Sequence, residues 1–182
     1  MTPADEFIAI MTERGGAAYF GEPVSQLEHA LQSAALAREA GSRPALIAAA
    51  LVHDVGHLLH CGPEDVADHG IDTLHEIAGY EWVRVRFSDE VAAPVRYHVA
   101  AKRYLCLRQP GYFDQLSPAS KQSLALQGGP FTEAEARAFE SLPGWQDALN
   151  VRRWDDAAKI QGLVVPPLAA YSDILHSLAV GE

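Results

Sequence analysis

Residues 44–60, PALIAAALVHDVGHLLH, constrain the fold of this chain more than any other stretch. The run ALIAAALV (45–52) is entirely apolar, so a helix formed there has no polar face and must be surrounded by other elements. His53, Asp54 and His57 follow that run directly. Burying a carboxylate in apolar surroundings costs free energy unless a cation or several hydrogen-bond donors compensate its charge. The stretch therefore predicts a central helix that leads into a charged, buried site.

Helical periodicity dominates the rest of the chain, and almost no segment alternates with a period of two. Capping residues, glycines and prolines predict helices near 3–14, 25–40, 44–60, 73–86, 89–106, 118–127, 132–141, 144–161 and 167–179. Pro94 marks either an early kink or a late start of its helix. Residues 61–72 and 107–117 are predicted as loops, the second with a one-turn helix. We expect an all-α fold, a compact helical bundle that forms one domain over residues 1–182.

Charge limits the classes of partner. The formal net charge is −10, and the Lys and Arg residues are scattered singly or in pairs, so we expect neither a nucleic acid nor a membrane as partner. The N-terminal segment carries acids where a signal peptide carries bases, which predicts a cytoplasmic protein. An anionic substrate would need a few well-placed cations. The sequence gives no indication of oligomeric state.

Histidines inside predicted helices are the next chemical signal. His29, His75 and His98 each have apolar neighbours, and singly each is compatible with a core histidine bonded to a carbonyl or an acid. Together with His53, Asp54 and an acid near the C-terminus, they are typical of ligands that separate helices deliver to the centre of a bundle. Imidazole and carboxylate without thiolate favour Fe, Mn or Zn. Gly56 indicates close approach of either a ligand or a neighbouring helix.

Six phrases in fixed order carry a family resemblance: YFGE, VSQLEHALQSA, HDVGH, HVAAKRYLC, SLALQGGP and RRWDD, spread over roughly 17–160. The H…HD…D pattern is that of the HD-domain metal proteins, most of which are phosphohydrolases. The full set of phrases resembles a smaller branch, the mixed-valent di-iron oxygenases that cleave the carbon–phosphorus bond of 1-hydroxy-2-aminoethylphosphonates and are relatives of myo-inositol oxygenase.

The resemblance implies two metal positions that hold an Fe(II)/Fe(III) pair. The first iron would be held by His29, His53, Asp54 and Asp155, and Asp54 would bridge to a second iron held by His75 and His98. Tyr19 would cap the second iron until substrate arrives, when Glu22 would move in. Asp155 is preferred to Asp156 because it precedes Lys159 by four residues, the spacing found in the inositol oxygenases.

The resemblance also implies a substrate site made of Glu22, His57, Lys102, Ser120, Ser123, Gln127 and Arg152. Helical spacing places Lys102 one turn after His98 and Arg152 on the same face as Asp155. A dianionic phosphonate requires such cations and hydroxyl donors directed at one point. By spacing alone, the polar stripe of Ser120, Ser123 and Gln127 favours a solvated surface.

The implied activity is a dioxygenase reaction, with dioxygen as co-substrate. Its products would be phosphate and glycine from a free-amine substrate, or phosphate and glycine betaine from an N-trimethylated one. Glu22 could pair with a primary ammonium, and Tyr19, Phe20, Tyr80, Trp82, Tyr97 or Tyr104 could contact a quaternary one. The choice of head group stays open. The alternatives are an HD-type metal-dependent phosphohydrolase and a degenerate HD module that only senses a ligand.

Overall fold

The computed structural model describes residues 1–59 and 74–180, which form α-helices and one 3₁₀ turn but no β-strand. This confirms the all-α prediction for the described part of the chain. The 3₁₀ turn is Leu168–Tyr171, and the helices are α1 (Pro3–Arg14), α2 (Gln26–Glu39), α3 (Pro44–Val52), α4 (Val55–Leu59), α5 (His75–Val83), α6 (Asp89–Arg108), α7 (Tyr112–Gln115), α8 (Pro118–Leu126), α9 (Glu133–Glu140), α10 (Trp145–Ala157) and α11 (Ser172–Leu178).

Local capping explains most of the helix starts. Thr2, Ser25 and Thr132 each accept a hydrogen bond from the third residue of the following helix, and an acid at that third residue bonds back to the cap. Such reciprocal bonds satisfy amides that otherwise lack an intrahelical partner. Pro44 and Pro118 occupy the first turn of α3 and α8, where a missing N–H costs nothing.

Helices α3 and α6 form the middle of the bundle. Every residue of α3 after Pro44 is buried, as its uniformly apolar sequence predicts. Helices α2, α6 and α10 pack against α3, while α5 packs against α6 and against the short helix α4. The arrangement brings the ends of α3 and α5 and the middle of α6 to one point in the interior. Among the described residues, every helix is too short or too polar to cross a lipid bilayer.

The predicted single helix over 44–60 is wrong, because α3 ends at Val52 and α4 begins at Val55. His53 Nδ1 hydrogen-bonds the carbonyl of Ala50 at 2.8 Å. In a continuous helix that carbonyl would accept from the amide of Asp54. The amide of His57 donates to the carbonyl of Asp54, three residues earlier, at 3.0 Å, which makes a tighter turn than an α-helix. Asp54 therefore lies in the turn between the two helices.

Helix α10 also differs from its predicted extent of 144–161, since it ends at Ala157. The backbone beyond it bonds to α2 instead: Ala158 O contacts His29 Nδ1 at 2.8 Å, and Ile160 N donates to Gln32 Oε1 at 3.0 Å. Helix α6 starts at Asp89, before Pro94, which rules out the late start. The predicted loop over 61–72 and a helix start at Asp72 or Thr73 lie outside the described residues.

Gly56 is the point at which α4 touches α5. A Cβ atom added at Gly56 would lie 2.0 Å from the carbonyl oxygen of His75 and 2.8 Å from the amide nitrogen of Gly79. Both are backbone atoms, which cannot move without displacing α5. The close approach at Gly56 is therefore made by a neighbouring helix and not by a ligand.

We predict that Gly56→Ala lowers the free energy of unfolding by about 1–3 kcal/mol, the usual cost of overpacking a core contact. Urea denaturation monitored by circular dichroism measures this change. Gly16→Ala is the matched control, because a Cβ at Gly16 would meet no atom within 4 Å. A Gly56→Ala protein as stable as the control variant would contradict the packing explanation.

Candidate metal centre

Two groups of potential metal ligands lie side by side in the interior and share one carboxylate. The first group is His29, His53 and Asp54, and the second is Asp54, His75 and His98; every member of both is buried. The ligands come from α2, from the turn between α3 and α4, from α5 and from α6. Segments far apart in sequence thus converge on Asp54, as the histidine pattern predicts.

The two oxygens of Asp54 face different histidine pairs. Oδ2 lies 3.4 Å from His29 Nε2 and 3.3 Å from His53 Nε2. Oδ1 lies 3.5 Å from His75 Nε2 and 3.3 Å from His98 Nε2, and it has no hydrogen-bond partner among the described residues. A carboxylate placed in this way can bridge two cations, one at each oxygen.

Backbone contacts indicate which nitrogen of each histidine carries the proton. The Nδ1 atoms of His29, His53 and His98 contact the carbonyl oxygens of Ala158, Ala50 and Val95 at 2.7–2.8 Å. A carbonyl oxygen only accepts, so Nδ1 is the donor and the Nε2 atom of a neutral ring has a free lone pair. Histidines that ligate metals are oriented in this way by a partner at the other nitrogen.

The distances between the facing Nε2 atoms indicate whether a cation fits between them. His29 Nε2 and His53 Nε2 are 3.2 Å apart, and His75 Nε2 and His98 Nε2 are 3.0 Å apart. Two lone pairs this close repel each other unless a proton or a metal ion lies between them. Two ligands at right angles around a cation, each about 2.1 Å from it, are about 3.0 Å apart. The donor set therefore fits two metal ions, and its all-N/O chemistry suits Fe, Mn or Zn.

Asp155 faces the first group, whereas Asp156 does not. Asp155 Oδ1 lies 3.5 Å from His29 Nε2, and Asp155 Oδ2 accepts from Arg152 Nη1 at 2.7 Å. Asp156 instead bonds to Tyr112 and to the other terminal nitrogen of Arg152. This geometry supports Asp155 as the ligand of the two adjacent acids.

Tyr19 lies beside the first group rather than the second. Its hydroxyl donates to Asp54 Oδ2 at 2.7 Å and lies 3.5 Å from Asp155 Oδ1, and its ring stacks on His29 at 4.0 Å. Desolvation raises the pKa of Tyr19 well above its usual value, and the neighbouring acids add to the effect, so the phenol is protonated. The arrangement gives no support to Tyr19 as a cap on the second metal position.

Two buried cations approach the centre from the side of α8. Lys102 is 2% exposed, and its Nζ donates to Ser123 Oγ at 2.8 Å. Arg152 is 4% exposed and reaches Ser120 Oγ at 3.5 Å. Desolvation lowers the pKa of Lys102 to about 7, and the nearby charge of Arg152 contributes. Lys102 of α6 and Arg152 of α10 thus each contact a serine of α8.

Glu22 is held at the edge of the same region. Its Oε1 accepts from Lys159 Nζ at 2.9 Å and from the Ser117 hydroxyl. Lys159 Nζ also donates to Ser120 Oγ at 3.0 Å. Glu22 is therefore part of the polar network that includes the serine of α8.

His57 is an aromatic neighbour of the second group. Its ring stacks on His75 with centroids 3.8 Å apart and lies 4.3 Å from the ring of Phe20. Desolvation lowers the pKa of His57 to about 4, so the ring is neutral at physiological pH. It lies next to the cluster, as predicted, and is available as a hydrogen-bonding contact rather than as a charge.

Gln127 lies at the end of α8, and its side-chain Oε1 is buried with no hydrogen-bond partner among the described residues. Gln127 is the C-cap of α8, and its backbone amide donates to the carbonyl of Ser123 at 3.0 Å. Its side chain lines a separate cavity of about 500 Å³ between α5, α6 and α9, whose lining includes neither Lys102 nor Ser123. The substrate assignment of Gln127 has no support in this arrangement.

Sequence reasoning missed two residues that complete the polar network. Tyr112 accepts from Arg152 Nε at 3.2 Å and donates to Asp156, and Lys159 joins Glu22 to Ser120. Tyr112 belongs to a four-residue helix, for which periodicity gives no signal. Lys159 has a recognisable spacing from Asp155, but it lies beyond the end of α10, where helical geometry no longer places a side chain.

Comparisons with known proteins identify the family of this chain. Among protein families, the HD domain matches residues 27–126. A hydroxymethylphosphonate dioxygenase of Gimesia maris is 41% identical over 180 residues, covering 97% of this chain and 89% of the relative. A glycine-betaine-forming [1-hydroxy-2-(trimethylamino)ethyl]phosphonate dioxygenase of Leisingera caerulea is 43% identical over 162 residues, covering 88% and 83%. An uncharacterized protein of Acanthamoeba polyphaga mimivirus is 33% identical over 170 residues, covering 92% and 78%.

We predict that Asp54→Ala removes both bound metals, whereas His98→Ala weakens only the second position. Asp54 offers one oxygen to each group, while His98 belongs to one group. Removing a ligand should lower metal affinity by at least about 100-fold, since even the outer partners of ligands contribute about 10–100-fold. Elemental analysis of metal per chain after gel filtration measures the loss.

His176→Ala is the matched control for these variants, because His176 is an exposed histidine paired with Asp5 at 3.3 Å. It should keep the metal content of the unmodified protein. Full metal occupancy in Asp54→Ala would show that this carboxylate is not a shared ligand.

Proposed function

This chain belongs to the HD-domain family and is a dioxygenase of its phosphonate-cleaving type, and from that premise we propose that it cleaves the carbon–phosphorus bond of a 1-hydroxyalkylphosphonate. The amine-bearing candidates are 1-hydroxy-2-aminoethylphosphonate and its N-trimethylated form, which would yield phosphate with glycine or with glycine betaine. One curated relative is named for hydroxymethylphosphonate and the other for the trimethylated substrate. The hydroxyl and the phosphonate on one carbon are what these candidate substrates share.

We further propose that the bound metals are two iron ions in the Fe(II)/Fe(III) state. His29, His53, Asp54 and Asp155 would hold one ion, and Asp54, His75 and His98 would hold the other. When bound, the iron pair supplies the activation of dioxygen and the one-electron chemistry that carbon–phosphorus cleavage requires. The paired Nε2 atoms on both oxygens of Asp54 are the feature of this chain that supports a two-metal centre.

The observation that carries the proposal is the presence of two buried cations and two serines beside a two-metal ligand set. Lys102 is almost completely buried beside a neutral hydroxyl, which is costly for a cation that has no anion to bind. Arg152 is also buried, but it already pairs with two acids. Each donates to a hydroxyl group of α8, so that the cations and hydroxyl groups converge. A phosphonate dianion takes charge-assisted hydrogen bonds from such a set.

Arg152 has a second role, because its guanidinium forms ion pairs with two acids. One terminal nitrogen donates to Asp155 at 2.7 Å, the other to Asp156, and Nε donates to Tyr112 at 3.2 Å. This planar fork orients the Asp155 carboxylate toward His29. In the proposed complex, Arg152 therefore positions a metal ligand, while Lys102 carries the greater part of the charge offered to phosphonate.

The apolar residues around the centre keep bulk water away from it. The α3 residues Leu51 and Val52 are 2% and 0% exposed, and Val95 of α6 is 0% exposed. Exclusion of water strengthens the electrostatic contacts inside the site and protects reactive species from side reactions. A dry, charged interior of this kind suits an oxidative reaction.

Phosphate release under controlled oxygen tension tests the proposal. Iron-loaded protein with ascorbate should release phosphate from 1-hydroxy-2-aminoethylphosphonate, its N-trimethylated form or hydroxymethylphosphonate in air, and release should stop under argon. A phosphomonoester such as p-nitrophenyl phosphate serves as the control substrate. Turnover of the ester under argon, without turnover of any phosphonate in air, would contradict the oxygenase and favour the HD-type phosphohydrolase.

We predict that Lys102→Met raises the apparent KM for phosphonate by at least about tenfold while metal content stays unchanged. A hydrogen bond that involves a charged group contributes about 1.5–3 kcal/mol, which corresponds to a factor of ten or more. Steady-state kinetics and elemental analysis on the same preparation separate the two effects. Loss of metal in this variant would mean that Lys102 supports the ligands instead of the substrate.

We predict a fall in kcat/KM for phosphonate as the pH rises through about 7, where the Lys102 ammonium loses its proton. The charged form is present below that pH and binds the dianion, so affinity is lost on the alkaline side. Lys102→Arg should shift the fall to much higher pH, because a guanidinium keeps its charge. An identical pH profile for both proteins would assign the fall to the substrate or to another group.

A further inference from the structure

The side of the site that would receive a substrate head group lies on the turn before α2. Tyr19 N donates to Val24 O at 3.0 Å and Glu22 N donates to Tyr19 O at 2.8 Å, so the turn is closed on itself. Phe20 and Gly21 have φ angles of +32° and +75°, which permit the tight reversal. The turn presents the Tyr19 ring and the Glu22 carboxylate together, next to the metal ligands.

Of the six aromatic residues considered for a cationic head group, the two on this turn, Tyr19 and Phe20, lie at the ligand cluster. The remaining four each lie against an arginine, at 4.5–5.9 Å from the ring centroid: Tyr80 and Tyr97 against Arg96, Trp82 against Arg86, and Tyr104 against Arg108. Within the described residues, Tyr19, Phe20 and Glu22 are the candidates that also lie at the ligand cluster.

Lys159 already provides a cation to two of these three groups. Its Nζ lies 2.9 Å from Glu22 Oε1 and 5.9 Å from the centroid of the Tyr19 ring. The side chains of Lys159 and Glu22 are 12% and 9% exposed, so this ion pair is screened little by solvent. The ring of Tyr19 is also stacked on His29, which leaves limited room for a further cation on it.

We propose that Lys159 is a specificity-determining residue that competes with the ammonium group of a substrate for Glu22 and Tyr19. The proposal rests on the proposed function. A cationic head group can reach the Glu22 carboxylate only if the Lys159 ion pair opens, or it must lie beside a like charge, and both carry a cost. A substrate without a cation leaves the ion pair intact. Lys159 therefore shifts selection toward 1-hydroxyphosphonates without a cationic head group.

Two ligands of nearly equal shape isolate the charge effect. 1-Hydroxy-2-aminoethylphosphonate and 1-hydroxypropylphosphonate differ by an ammonium in place of a methyl group. Their dissociation constants are measured by calorimetry on the iron-loaded protein under argon, where no turnover is expected to occur. The reported quantity is the ratio of the constant for the propyl ligand to that for the amino ligand, which cancels any change common to both.

Lys159→Met should raise this ratio by about tenfold or more, because it frees the carboxylate and removes the like charge. Lys121→Met is the matched control: Lys121 follows Ser120 on α8, but it contacts Asp114 O and the Phe113 ring instead of the cluster. The control should leave the ratio unchanged. Lys159→Gln, which retains a hydrogen-bond donor for Glu22, replaces the methionine variant if that variant does not fold, with the same expected direction.

Each outcome has a defined meaning. A ratio that is unchanged or lowered in both Lys159 variants overturns this proposal, while phosphate release by the unmodified protein in air leaves the proposed function intact. If the unmodified protein binds neither ligand and releases no phosphate from any 1-hydroxyphosphonate, the proposed function fails and this inference fails with it. A raised ratio in the Lys159 variants, with the Lys121 control unchanged, supports the competition.

Discussion

The carboxylate of Asp54 is the constraint on which the rest of the structure depends. It lies in the interior, with a pair of imidazole nitrogens at each of its oxygens. An unpaired charge in such a place is strongly destabilising, so the bundle must supply compensation from several helices. The break between α3 and α4 places Asp54 itself, the first turn of α2 supplies His29, and the residue after α10 supplies the carbonyl that orients the His29 ring.

The parts of the fold that the sequence predicts are those governed by neighbours in the chain. Capping boxes at Thr2, Ser25 and Thr132 and the all-apolar run of α3 are local signals, and they place helices close to their observed positions. The break after Val52 depends on a side chain, the His53 ring, which takes the carbonyl of Ala50, and the end of α10 depends on a distant group, since Gln32 of α2 takes the Ile160 amide. Periodicity carries no information about such competition.

The residues of the site also divide into those that the sequence predicts and those that only the fold places. The histidines and acids were predictable because chemistry restricts which residue types hold a metal, and a family motif restricts their order. The substrate role of Gln127 comes from the family resemblance and stays a prediction, since the cavity that Gln127 lines includes neither Lys102 nor Ser123. Lys159 received no role in the sequence analysis, because it lies after the end of α10. Its contact with Glu22 joins residues that are 137 positions apart. Only the folded chain brings those two charges together.

Most charged groups of the site already have a charged or polar partner within the protein. Arg152 is balanced by Asp155 and Asp156, Lys159 by Glu22, and the Asp54 carboxylate by the histidines around it. Lys102 differs, because the contact that its ammonium makes is with a neutral hydroxyl, Ser123, and its pKa is lowered by burial. An incoming dianion therefore meets one cation whose charge is not already matched. Under the proposed function, recognition of the phosphonate would depend mainly on Lys102, whereas the Lys159–Glu22 pair, already neutral as a unit, would discriminate among the groups attached to the same carbon.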